Sequence, residues 1–112
     1  DFGADRVWRV QFNLSAANKP LRDRLAAALA PLGIAAGADK AGGGADVGAI
    51  IAAQKLPVID LDQDGTRYFD LHHTPDDTLD KIDPVQLEQN VTAWATVLEI
   101  VANEPGVIAP AD

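Results

Sequence analysis

The order of strand-like and helix-like segments predicts an α/β fold, and three observations carry that prediction. A run rich in β-branched and aromatic residues, Val7-Trp8-Arg9-Val10-Gln11-Phe12-Asn13, stands near the start of the chain. Leucines recur at helical spacing after it, and a second apolar run, Leu56-Pro57-Val58-Ile59-Asp60-Leu61, lies between two further helical segments. Strands that alternate with helices imply helices laid on a sheet with parallel pairing.

Each element has a local reason. Residues 7–13 combine strand-forming side chains, so they predict a strand. Leu21, Leu25, Leu29 and Leu32 follow Pro20 at helical spacing, and Gly33 suits the left-handed position that ends a helix. A Gly-rich loop is expected next, then a helix over 45–54. The run 56–61 reads as a short strand buried on both faces. The last helix has the clearest start signal: Asp83 as N-cap, Pro84 in the first turn, and Gln86 closing an Asp-x-x-Gln capping box. Leu87, Val91, Trp94, Leu98 and Val101 then form one stripe, predicted to face the core. The expected order is strand, helix, helix, strand, helix. A sheet of two strands is marginal alone, so further strands are expected from a preceding segment or from a second copy in a homodimer.

Composition bounds the function classes. At 112 residues and 47% apolar content the chain reads as one small domain, 1–112, able to bury a core. It has 17 acidic and 9 basic residues, a formal charge of -8, which argues against a phosphate-backbone partner such as nucleic acid. No apolar run approaches the roughly 20 residues that span a bilayer, and no signal peptide is visible. The absence of cysteine excludes disulfides and thiolate metal sites.

The segment Tyr68-Phe69-Asp70-Leu71-His72-His73-Thr74-Pro75-Asp76-Asp77-Thr78 is where chemistry is expected, because it holds both histidines ahead of an acidic turn. An imidazole is a good zinc ligand when a carboxylate or carbonyl fixes its tautomer. A catalytic zinc needs three protein ligands, and no other histidine is available. On an extended segment adjacent side chains point apart, so one histidine at most would face a given site.

His73-Thr74-x-x-Asp77-Thr78, followed by Leu79-Asp80-Lys81-Ile82-Asp83-Pro84 and a long helix, resembles the C-terminal end of the co-catalytic zinc exopeptidases, metallopeptidase family twenty-eight. Upstream, Gly42-Gly43-Gly44-Ala45-Asp46-Val47 and Leu56-Pro57-Val58 look like that family's Gly-rich turn with its aspartate and the core strand after it. The resemblance runs from about Asp1 to Pro105 and is nearest to the carboxypeptidase Q branch, with leucyl-type aminopeptidases as further relatives. It implies the C-terminal portion of an α/β/α sandwich, zinc as cofactor, a peptide as substrate, and export from the cytoplasm. It also implies that His73 is the last zinc ligand, with Asp46, His72, Thr74, Asp77 and Thr78 in supporting or substrate-side positions. The other ligands and the general base would belong to segments before Asp1, so the chain alone is expected to be inactive.

Competing readings stay open. The chain could be a stand-alone, non-catalytic interaction or dimerisation module. Asp46 could simply favour a helix start. Three glycines could cradle a phosphate, but no Lys-Ser/Thr follows them. Asp60-x-Asp62-x-Asp64-Gly65 opens like a calcium loop, yet Leu71 stands where the closing glutamate belongs. Ser15 stands in no nucleophile elbow.

Overall fold

The computed structural model describes residues 2–112 and is a mixed α/β fold. Its strands are β1 (Val7–Asn13), β2 (Ala35–Lys40) and β3 (Val58–Gln63). Its α-helices are α1 (Lys19–Leu29), α2 (Gly44–Gln54), the single turn α3 (Tyr68–Leu71) and α4 (Pro84–Ala102). The sheet order is β2-β1-β3, with β1 in the centre.

The sheet corrects three expectations. A third strand, β2, lies where a loop was predicted, and it runs parallel to β1. β3 pairs with β1 antiparallel, so the sheet is mixed rather than parallel. As an edge strand β3 buries only Val58 and Leu61 fully, instead of being covered on both faces.

Alternation along β1 sends Val10 and Phe12 to one face, where α1 and α4 pack. There Leu21, Leu25 and Leu29 of α1 meet Val7, Val10, Leu61, Ala93 and Val97 in one core. Gly33, at φ 77°, turns the chain out of the helical region toward β2, in a conformation that side-chain-bearing residues rarely adopt. Arg9 and Gln11 occupy the other face of the sheet.

Of the predicted stripe of α4, Val101 packs partly buried against the core, but the rest of the stripe is not the buried face. Trp94 is 47% exposed, Leu98 59% and Val91 61%, while Asn90, Ala93 and Val97 face inward. Amides replace hydrocarbon at the inner face. Gln89 accepts from the Val7 N–H and donates to the Val7 carbonyl, both at 2.8 Å. Asn90 donates to the Asp5 carbonyl at 2.8 Å. Gln86, expected to close a capping box, instead accepts from the Arg6 N–H at 2.7 Å. Asp83 caps as predicted, accepting from the Val85 N–H at 2.9 Å.

The segment after α4 returns to the start of α1. Asn18, buried, donates to the Val107 carbonyl at 2.9 Å and accepts from the Ala109 N–H at 3.0 Å. Among the described residues no helix is long and apolar enough to cross a membrane. The radius of gyration is 14.8 Å, larger than the roughly 13 Å usual for about 100 residues, and the extents of 45 × 33 × 23 Å describe a flattened body.

Candidate functional site

The two histidines sit at the end of α3, on a tight turn. His72 follows the last helical residue, and its N–H donates to the Tyr68 carbonyl at 2.7 Å. His73 then takes φ 57°, a left-handed conformation that histidine adopts more readily than β-branched residues do. This reversal brings the two rings together, with centroids 3.6 Å apart and planes 25° from parallel. The expectation that they point apart fails, because the segment is a helix end rather than extended chain. Tyr68 stacks on the other side of His72 at 4.4 Å, and Phe2 meets Tyr68 edge-on at 4.9 Å. The stack thus ends in His73, which is exposed.

Threonines hold the turn. Thr74 Oγ1 donates to the Leu71 carbonyl at 2.6 Å and accepts from the Asp76 N–H at 3.3 Å. Thr78 Oγ1 donates to Asp80. That hydroxyl, with the Lys81 ammonium beside it, holds the Asp80 carboxyl below the ordinary aspartate range. Asp77 contributes its backbone N–H, donated to the Thr74 carbonyl at 3.1 Å; among the described residues its carboxylate makes no hydrogen bond. The turn is anchored by Arg67, whose guanidinium forks onto Asp5 and reaches the Lys81 carbonyl at 3.2 Å. The Asp5 contact raises the Arg67 pKa above its usual value. A cavity of about 200 Å3 opens between Asp5, Tyr68, His72, Asp77 and Thr78.

The acidic run on β3 is used internally. Asp60 accepts from the N–H groups of Gly42 and Gly43 at 2.8 and 2.9 Å. Those amides therefore serve the chain's own carboxylate, not a phosphate. Asp62 accepts from Arg9 at 2.8 Å and from Gln11 at 2.7 Å, while Arg9 also reaches Asp39 at 3.1 Å. Asp64 accepts from the Thr66 hydroxyl and amide, which lower its pKa. Three carboxylates engaged in three places do not converge on a calcium ion. Asp46 lies in the first turn of α2, exposed, with Gly43 as the N-cap, so its charge favours the helix start without capping it.

Among the described residues no three His, Cys, Asp or Glu side chains stand close enough to hold a metal ion. His73 is accessible, and neither imidazole makes a hydrogen bond among the described residues, so the residues present fit one ligand of a site completed from elsewhere. Tyr68 and Arg67 were not singled out from sequence. Tyr68 stands four residues before His72, the spacing that stacks side chains on one helical face, and this was the available signal.

Beyond this turn, a larger groove of about 740 Å3 runs along residues 57–63, bordered by Trp8, Gln11, Val47, Ile51 and Trp94. The side-chain oxygens of Gln11 and Gln63 are buried there without a partner.

No family model and no curated protein matches this chain. Among solved structures it is similar to the crystal structure of a Peptidase M28 precursor from Shewanella amazonensis SB2B, at 41% identity and a TM-score of 0.88. The match covers 98% of this chain and 25% of that one, so the chain spans about a quarter of the peptidase it resembles.

Proposed function

We propose that this chain is one part of a zinc-dependent exopeptidase, and that it contributes His73 as a single metal ligand. The observation that carries the reading is the match of 98% of the chain, at 41% identity, to a peptidase. The geometry of the turn supports it: His73 projects from a left-handed residue, exposed, with Tyr68 and His72 stacked behind it.

Zinc would supply a water of lowered pKa and polarisation of the scissile carbonyl. This chain's own contribution is positional. Thr74 and Thr78 fix the turn by hydrogen bonds, and His72 restrains the His73 ring by stacking, as groups around a metal ligand commonly do. Asp46 and Asp77, exposed and free of side-chain hydrogen bonds among the described residues, are assigned to the substrate side. The peptide substrate, the exopeptidase specificity and export belong to the same reading and rest on the resemblance.

A zinc titration followed by NMR tests the ligand assignment on this chain. Zinc is expected to perturb the His73 imidazole first, with the weak affinity of one ligand, and His73→Ala should abolish the response. A first response at Asp60, Asp62 or Asp64, or an unchanged titration in His73→Ala, would refute it. Joined to the remainder of such a domain, His73→Ala should lose bound zinc and peptide hydrolysis together.

A further inference from the structure

We propose that Arg67 and Asp5 are positioning residues for the metal ligand: their ion pair fastens the turn that presents His73 to the segment ahead of β1. The proposal rests on the peptidase reading above. Both residues act through His73 rather than on the metal.

The turn lacks the anchor that holds the rest of the fold. From 64 to 83 no residue is buried, and neither α3 nor the short 3-10 helix Leu79–Lys81 contributes to the core. A segment with so few buried contacts opens locally at low cost unless polar contacts hold it. Those contacts therefore decide where His73 stands.

They converge on one place. Among the described residues, every hydrogen bond that leaves the stretch 64–81 ends on Asp5 or Arg6. The Asp64 N–H donates to the Arg6 carbonyl at 2.8 Å. Arg67 donates from Nε and Nη2 to the two carboxylate oxygens of Asp5 at 3.0 and 2.5 Å, a fork that fixes direction as well as distance. The same Nη2 reaches the Lys81 carbonyl at 3.2 Å, so one guanidinium ties the start of the turn, its end and Asp5 together. Tyr68 follows directly, and the rings of His72 and His73 are stacked on it in turn. A displaced Arg67 carries the His73 ring with it.

Asp5 is a firm point to pull against. Its side chain is 15% exposed, against 48% for Arg67, so the pair is screened less than one standing fully in water. α4 clasps the backbone on either side of it. Asn90 donates to the Asp5 carbonyl at 2.8 Å, Gln86 accepts from the Arg6 N–H at 2.7 Å, and Gln89 engages both backbone groups of Val7. The amide row of α4 thus holds residues 5–7, and residues 5 and 6 hold the turn.

The test first measures the turn on this chain without metal. Arg67→Gln and Asp5→Asn should each speed exchange of the His72, Thr74 and Asp77 amides about tenfold, the factor that follows from losing a hydrogen bond between charged groups. Contacts between the Phe2 and Tyr68 rings, read by NMR, should weaken in both variants. The amides of α1 and the melting temperature should stay nearly in place, because the pair lies outside the core. The double variant should be no worse than either single one, as expected of a shared contact. Joined to the remainder of a peptidase domain, Arg67→Gln should weaken zinc binding by about 10–100-fold, read by competition with a chelator. Arg67→Lys, which keeps the charge and loses the fork, should recover only part of that affinity. Unchanged exchange in both single variants, additive losses in the double variant, or unaltered zinc affinity would each overturn the proposal. If His73→Ala loses zinc and Arg67→Gln does not, the proposal alone fails; if His73→Ala keeps its zinc, the ligand assignment falls and the proposal with it.

Discussion

Helices α1 and α4 carry the same kind of apolar stripe and meet opposite fates. Leu21, Leu25 and Leu29 of α1 are at most 2% exposed, whereas Val91, Trp94 and Leu98 of α4 are about half exposed or more. Periodicity records that a helix has a face needing cover. It does not record who supplies the cover. For α1 the chain's own sheet does so, while α4 turns a row of amides, alanine and valine toward that sheet and leaves its apolar row outward.

The largest effect that can break this comparison comes from truncating one leucine in each helix. Leu25→Ala should destabilise the chain by about 2–5 kcal/mol, because Leu25 is fully buried. Leu98→Ala should stay within about 0.5 kcal/mol. Urea denaturation of both variants decides the matter. Equal losses would mean that the α4 stripe is covered in solution.

The amide face of α4 should behave as structure although it looks like surface. Replacing Gln89 by Ala leaves the Val7 N–H and carbonyl without their partner, and a cost of about 1–3 kcal/mol is expected for such a loss. Glu88→Ala next to it, exposed, should be nearly neutral. If the two variants denature alike, the inner face of α4 has been assigned to the wrong residues.

A smaller effect concerns His73, whose left-handed backbone is no more rewarded by this chain than the outer face of α4 is. His73→Gly should gain up to about 1 kcal/mol of thermal stability, since glycine adopts φ 57° freely. His73→Val should lose a comparable amount. A loss in His73→Gly would show that stacking on His72 outweighs the backbone strain, and that the turn is a folding element in its own right.

What was legible in the sequence follows the range of the forces involved. β1 and the start of α4 could be read because Val7, Trp8, Val10 and Phe12, and then Asp83-Pro84, act within a few residues. β2 could not, since Ala35-Ala36-Gly37-Ala38 has no β-branched or aromatic side chain and is held by pairing with β1. The direction of β3 was equally hidden. It depends on a crossing from β2 past the central strand, which no local pattern encodes. In the candidate site, the choice of His73 rests on the resemblance, and Thr74 and Thr78 do bond within the turn. The stacking of His72 on His73 was misjudged, because it depends on a left-handed residue that is not glycine.

The smallest effect is a pH response confined to the turn. The Thr78 hydroxyl and the Lys81 ammonium lower the Asp80 pKa in the folded chain, while the unfolded chain keeps the ordinary value of about 3.9. A carboxylate depressed in this way contributes stability above the unfolded pKa and loses it as pH falls through the folded one. Asp80 is fully exposed, so solvent screening keeps the contribution small. Acidification below about pH 4 should therefore shift the Thr78 and Lys81 amide resonances with a midpoint under the ordinary aspartate value of about 3.9, and leave those of α1 in place. Asp80→Asn should remove the titration. A midpoint at or above the ordinary value would mean that Thr78 does not donate to Asp80 in solution, and the turn that presents His73 would then depend on Thr74 and the Arg67–Asp5 pair alone.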